Sequence, residues 1–285
     1  MSTICALGAS LLLLMSVPPE APPLRTEFLL SPHWEDGKAE VSRYESTRTV
    51  YGRERRFETV MITVKEEIGA ESRVKIDPSS SREKPIPGFK LHLFQRFDTE
   101  NYPYHYGITA LVRREDPLEL IKQSVSSQEW CGVTYQQVTR RGEEWIYWWD
   151  SYFEGEAQGS RVLPLRPVTE EQLLLALRGI AWRQDLEIEL PVMWEMPSNR
   201  ARARGPFPAV VRCEAREPQS SPAGKFDFWR VTARARGEGS KGQAATFWIS
   251  TVHPYDLVRY EGSLGRTLLL KERRRRAYWL RGGGS

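Results

Sequence analysis

Four histidines, His33, His92, His105 and His253, are the residues best suited to metal or acid–base chemistry near neutral pH. None stands at a ligand spacing from another histidine or a cysteine, so no metal site is expected. His92 and His105 fall in neighbouring strand-like runs and would meet across a hairpin; the other reading makes each an ordinary hydrogen-bonded side chain. Cys131 as a nucleophile would need His105 or His253 as base, and a further group to orient it. No elbow motif surrounds that cysteine, and Gly132 beside it fits a bulge or a close backbone approach. Asp150, Glu154 and Glu156 invite comparison with the paired carboxylates of glycoside hydrolysis. On a strand, Asp150 and Glu154 stand about 13 Å apart by rise alone, too far for a pair, so a solvated face is the better reading. Lys271, Arg273, Arg274, Arg275 and Arg276 form the strongest charge run. They are candidates for contact with anionic lipid headgroups, cell-wall polymer or nucleic acid. A solvated turn or a guarded sheet edge explains them equally well.

The chain that must position these groups has 285 residues, 40% of them hydrophobic, enough for a sizeable core. Its formal charge of +4 is modest, with both signs interspersed, and does not by itself argue for nucleic acid. Residues 4–17 form the only long apolar run, too short to span a bilayer comfortably and placed where a secretory signal belongs. The expected organisation is a signal peptide over 1–21, a Pro-rich spacer over 22–27, one antiparallel β domain over 28–281, and a flexible tail at 282–285. A point near Pro164 divides two half-sheets within that domain. Export places the protein in the periplasm or outside the cell and sets nucleic acid aside as a partner. Cys131 and Cys213, the thiols left after processing, are a candidate disulfide in an oxidising compartment; the alternative is two free cysteines in strand-like runs.

Aromatic residues concentrate in a hairpin over residues 128–156. Period two puts Trp145, Tyr147, Trp149 and Phe153 on one face, and Ile146, Trp148 and Tyr152 on the other. Two bulky faces are more than a half-wet strand needs. One face suits a core; the other meets a second layer, a helix around Leu173 and Leu177, or a ligand. Trp145, Tyr147, Trp148, Trp149, Tyr152, Phe153, Leu173 and Leu177 are therefore the candidate ligand-lining residues.

Alternation elsewhere predicts strands over 39–50, 56–66, 89–97, 104–112, 186–192, 207–214, 226–236, 244–251, 257–261, 267–272 and 276–280. Asp116, Pro117 and Glu119 read as the start of a short helix ending near Ser126, with Leu118, Ile121 and Val125 on one face. A second helix begins at Thr169 with a capping box closed by Gln172, and its body is apolar on most sides. The fold class expected is all-β, mainly antiparallel, with twelve to fourteen strands in a large, strongly curved or half-closed barrel-like sheet and two short helices.

Three phrases carry a resemblance: Trp34 through Gly37, Ala39, Glu40 and Val41 to Tyr44; Gln128-Glu129-Trp130-Cys131-Gly132; and His253-Pro254-Tyr255 through Leu257, Val258 and Tyr260 to Glu261. In these the chain resembles DUF3108-type exported bacterial proteins of unknown function and, more remotely, LolA/LolB-like lipoprotein carriers. The resemblance implies an exported β protein with a lipid- or envelope-related role, and brings no ligand residues with it. The function expected is non-enzymatic binding of a hydrophobic or lipid-like ligand in the curved sheet, without cofactor, with peripheral membrane contact as an option. The alternative is a structural or adaptor envelope protein with a filled core that binds a protein or glycan. An enzyme of unknown type comes third.

Overall fold

The computed structural model describes residues 21–240 and 242–280. The leader and tail expected from the sequence fall almost wholly outside them. The segment 22–27 expected as spacer runs into a short helix, α1 (Thr26–Leu29), which begins inside it, and a single 3₁₀ turn follows at Pro32–Trp34.

Two meanders make one sheet. The first comprises β1 (Ala39–Val50), β2 (Arg53–Gly69), β3 (Pro85–Asp98), β4 (Pro103–Arg113), β5 (Leu120–Glu129), β6 (Gly132–Arg141), β7 (Glu144–Ser151) and β8 (Gln158–Leu163). The second comprises β9 (Val168–Thr169), β10 (Glu187–Trp194), β11 (Arg204–Ser221), β12 (Gly224–Ala235), β13 (Ala244–Ser250), β14 (Leu257–Gly262) and β15 (Arg266–Arg276). Pairing of β1 with β15 joins them, so the fifteen strands run β8 to β1, then β15 down to β9. Every pairing is antiparallel except β9 with β10. The expectation of a strongly curved, half-closed barrel is corrected here. The strand order is linear and open, with edges at β8 and β9 that do not pair with each other.

The expected half-buried strands hold where alternation was plainest. Phe89, Leu91 and Leu93 of β3 and Tyr104, Tyr106, Ile108 and Ala110 of β4 are all buried. The second helix is α2 (Glu170–Ala176), capped at Thr169 by the reciprocal Thr169–Gln172 box and followed by a 3₁₀ turn at Leu177–Gly179. Each of its residues is buried, and Leu173, Leu174, Leu175 and Leu177 each contribute about 1.5–3 kcal/mol of burial. The other expected helix is wrong. Asp116 does make a local turn, its Oδ1 accepting from the Leu118 amide at 3.1 Å, but the chain then enters β5 and pairs with β4 and β6. Period two over residues 120–127 wins over the three-residue spacing of Leu118 and Ile121 because two neighbouring strands supply the hydrogen bonds. The basic run is likewise no turn: 271–276 continue β15 against 39–43 of β1.

Topology puts the turns after β1, β3, β5 and β7 at one end of the first meander. Register places the start of β15 there too, because Thr47 faces Thr267. Tyr51 and Gly52 make the two-residue turn after β1, with φ of 53° and 72°, the left-handed pair that matches hairpin twist.

Candidate functional site

Two polar clusters are largely buried, the second with exposed His253 at its rim. In the first, Glu170 and Glu171 lie side by side on α2 with no exposure. Glu170 accepts from the Ser263 amide at 2.9 Å and from the hydroxyls of Tyr260 and Ser263. Glu171 accepts from Arg266 Nη2 at 2.7 Å and from Gln123 Nε2 at 2.9 Å. Burial raises the Glu171 carboxyl above its ordinary range, Arg266 opposing and Glu170 reinforcing that shift. Paired carboxylates beside a tyrosine resemble acid–base machinery, but no face of the pair reaches solvent. Their role is to bind β5, β14 and β15 to the helix.

The second cluster gathers Ser31, His33, Glu40, Arg178, His253 and Asp256. Arg178 donates Nη1 to Glu40 at 2.7 Å, Nη2 to Glu40 at 3.1 Å and to the Pro254 carbonyl at 2.9 Å, and Nε to the Tyr255 carbonyl at 3.0 Å. Serine, histidine and carboxylate are all present, yet they do not form a relay. Ser31 Oγ meets His253 Nε2 at 3.2 Å, whereas the carboxylate of Glu40 meets the other histidine, His33, at 3.3 Å. Ser31 Oγ also accepts from the His33 amide at 3.1 Å, which fixes it as a turn cap.

A third place is open. At the aromatic turn end, a pocket of about 380 Å³ is lined by Arg48, Thr49, Val50, Tyr51, Tyr104, Tyr106, Ser198, Asn199 and Leu264. That volume lies within the usual range of small-molecule sites, about 300–1,000 Å³. Arg48 is only 4% exposed, sits with its guanidinium carbon 4.5 Å above the Tyr106 ring, and donates Nη2 to the Pro197 carbonyl. Its Nη1 has no partner. Burial lowers the Arg48 pKa, with the nearby Arg266 also pulling down and Tyr106 and Glu171 opposing. The hydroxyls of Tyr51 and Tyr104 meet at 2.5 Å. Beside them, Tyr102 lies nearly parallel to Trp130 at 6.1 Å, and Trp130 is 77% exposed. A larger hollow, about 640 Å³, lies between residues 21–23 and β10, where Glu187 and Glu189 are already paired with Arg212 and Arg236.

The structure scatters the residues singled out from sequence. Tyr147, Leu173 and Leu177 are buried in the main core, with Trp145 and Trp149 packed against it. Trp148 packs on Tyr135 at 5.6 Å on the opposite face, while Tyr152 is exposed beside Phe153. The expectation of a lipid-like ligand held by these residues in a curved sheet is corrected: the sheet is open, and the helix-facing rings lie against protein. Of the anion candidates, Arg273 pairs with Asp256 at 2.9 Å, Arg274 with Glu272 at 2.9 Å, Lys271 with Glu58 at 3.6 Å and Arg275 with Asp36. Arg276 closes the strand opposite Ala39.

Cys131 is exposed and Cys213 buried, and both are free thiols, so the candidate disulfide is not formed. Burial pushes the Cys213 thiol up to about 11. His92 faces Thr109, bonding it at 2.9 Å, and His105 faces Arg96, so these two histidines do not meet. Asp150 and Glu154 are exposed, and Glu156 holds the Ala201 amide at 2.8 Å. Among the described residues, no group of three or more metal-ligating side chains converges.

Sequence reasoning passed over Arg48 altogether. A signal was there: Glu40, Ser42, Tyr44, Ser46 and Arg48 share one parity of β1, and all five are buried. A strand whose inner row is polar announces a polar interior rather than a greasy one.

No family model matches the chain, and no curated protein matches it. Among solved structures, it is similar to the crystal structure of a beta-barrel-like protein of a domain of unknown function, DUF1849, from Brucella abortus. That likeness has 9% sequence identity and a TM-score of 0.45, over 84% of this chain and 97% of that one, and it carries no argument about function.

Proposed function

We propose that the chain is a non-enzymatic binding protein of the cell envelope, periplasmic or extracellular, that engages a glycan at its aromatic turn end. The observation that carries this reading is the exposed Trp130 ring stacked on half-buried Tyr102, beside the tyrosine-lined pocket. A pyranose presents an apolar C–H face to a ring and hydroxyls at its edge. Flat exposed rings next to tyrosine hydroxyls, Ser198 and Asn199 answer both demands. An acyl chain would find a guanidinium, a hydroxyl and an amide in the same pocket, which is poor burial for methylenes. The apolar stretch at residues 4–17 supports export and with it the envelope setting.

The test is a panel of neutral and acidic cell-surface oligosaccharides titrated calorimetrically into the mature protein, alongside Trp130→Ala. Saturable binding weakened at least tenfold by Trp130→Ala, with unchanged circular dichroism, is the expected outcome. No binding across the panel would remove the glycan reading.

A further inference from the structure

Three consecutive large apolar side chains stand in the open just past the end of β15. Tyr278, Trp279 and Leu280 are 43%, 50% and 60% exposed, in a turn closed by the Leu280 amide on the Ala277 carbonyl at 3.1 Å. Single exposed apolar residues are ordinary, but a run of three is a cost in water unless it has a use. Tyr278 and Trp279 pack edge to face at 5.0 Å and border a hollow of about 220 Å³ with Val64, Lys65, Glu66, Lys75 and Lys90. Register puts Arg274 opposite Val41, and Val41 opposite Ile62, which shares a face of β2 with Val64. Rings and cations are thus gathered on one face, at one end of the sheet.

Positive charge is in excess among them. Lys75 and Lys90 share the carboxylate of Glu66, Arg43 and Arg274 share Glu272, and Arg43 and Lys271 share Glu58. Lys75 and Arg274 are the most open of these cations, at 69% and 72% exposure. Glu67 and Asp77 border the neighbouring hollow beyond Lys75, where Asp77 is engaged by the Ser79 hydroxyl at 2.7 Å. Exposed tyrosine and tryptophan among lysine and arginine suit a membrane–water interface, where rings sit at headgroup level and cations meet phosphates.

We infer that this end of the molecule rests on a lipid surface rich in anionic headgroups. Trp279 and Leu280 enter the headgroup layer, and Lys75 and Arg274 face the phosphates. So few anchoring groups make a reversible contact rather than a permanent one. The inference does not rest on the glycan reading. Arg276 faces Ala39, the first residue of β1, whereas Tyr51 follows its last, so the two surfaces sit at opposite ends of that strand.

The experiment floats the intact mature protein with vesicles of phosphatidylglycerol and phosphatidylcholine in equal parts, and with phosphatidylcholine alone, at low and high salt. Binding at least tenfold tighter to the mixed vesicles is expected at low salt, weakening as salt rises. Trp279→Ser combined with Leu280→Ser should weaken it at least tenfold, and Arg274→Gln combined with Lys75→Gln by less, all with unchanged circular dichroism. No flotation with the mixed vesicles would overturn the inference and leave the glycan reading standing. Undiminished binding by the folded serine variant would place the contact elsewhere and overturn it too. Equal binding to the two vesicle types would overturn the role of the anionic headgroups. A dimer in sedimentation velocity that the serine variant abolishes, without vesicle binding, would give the rings to a second copy of the chain instead. Should the serine variant lose its fold, the two vesicle compositions and the charge variant decide the matter.

Discussion

Arg178 and Arg48 are both arginines nearly lost to solvent, at 1% and 4% exposure, and they are solved in opposite ways. Around Arg178 the protein closes the account: a bidentate carboxylate and two carbonyls saturate the fork, and α1, β1 and the loop before β14 converge on it. Burial alone would lower its pKa, but the field and hydrogen bonds of Glu40 outweigh that and raise it. Around Arg48 burial wins and the pKa falls, because a carbonyl and a ring face are weaker company. The first arrangement is a clamp. The second is a clamp with one jaw missing, its Nη1 enclosed and unbonded.

That contrast sets the largest expected effect. Arg178→Met leaves Glu40 buried and charged against little but His33, and breaking a buried pair in this way costs about 3–5 kcal/mol. Urea denaturation should show the midpoint falling with little change in slope. A loss below about 1 kcal/mol would mean that the pair is no clamp.

A smaller effect distinguishes the same region by pH. Burial lowers the pKa of His253 from 6.5, with His33, Arg178 and Arg273 adding to the shift and Glu27 opposing. Below pH 6.5 the unfolded chain then binds more protons at this position than the folded one, so its effect is absent above 6.5 and destabilises as pH falls. Other groups face the same cluster. Glu40, held low against its own burial by Arg178 and His33, loses its contribution only in a more acid window, below 4.5. Asp256 is raised by burial from 3.8, which gives the opposite slope. Melting temperature should therefore drop between about pH 7 and about pH 5.5, and His253→Asn should flatten that drop. An identical drop in the variant would exclude His253 as its source. The pocket around Arg48 holds no histidine among its lining residues and should add nothing in this window.

How much of this could be read from the sequence depends on which side of each strand was apolar. β3 and β4 were plain because their inner rows are Phe89, Leu91, Leu93 and Tyr104, Tyr106, Ile108. The cap at Thr169 was plain because capping is local: Thr169 and Gln172 satisfy each other within one turn. β5 was missed because its inner row mixes Gln123 and Ser127 with Val125, so hydrophobic spacing pointed to the wrong period. Gln123 is inside because it serves Glu171 and Thr169, partners 48 and 46 residues away in sequence. The tryptophan-rich hairpin misled in another sense. Ring density says that a strand is packed, not where it lies, and β7 is next to the edge strand β8 while β1 and β15 form the middle. The clamp and the pocket share one cause of illegibility: Glu40 and Arg48 of β1 find their partners 138 and 149 residues away.

The smallest expected effect sharpens the comparison most. Because the bonding of Arg48 is incomplete, its removal should scarcely change stability. Arg48→Met deletes a bond to the Pro197 carbonyl and the contact with Tyr106. It also removes a buried charge whose Nη1 is unsatisfied, and methionine restores much of the apolar stem. Loss of one hydrogen bond costs about 0.5–1.5 kcal/mol, and relief of an under-satisfied buried charge offsets part of that. The net change expected in urea is within about 1 kcal/mol of zero, against the several lost at Arg178. A loss at Arg48 as large as at Arg178 would show that the missing jaw belongs to the fold, and the contrast between the two arginines would collapse. A near-zero change would show that one buried arginine holds the protein together while the other is merely tolerated by it.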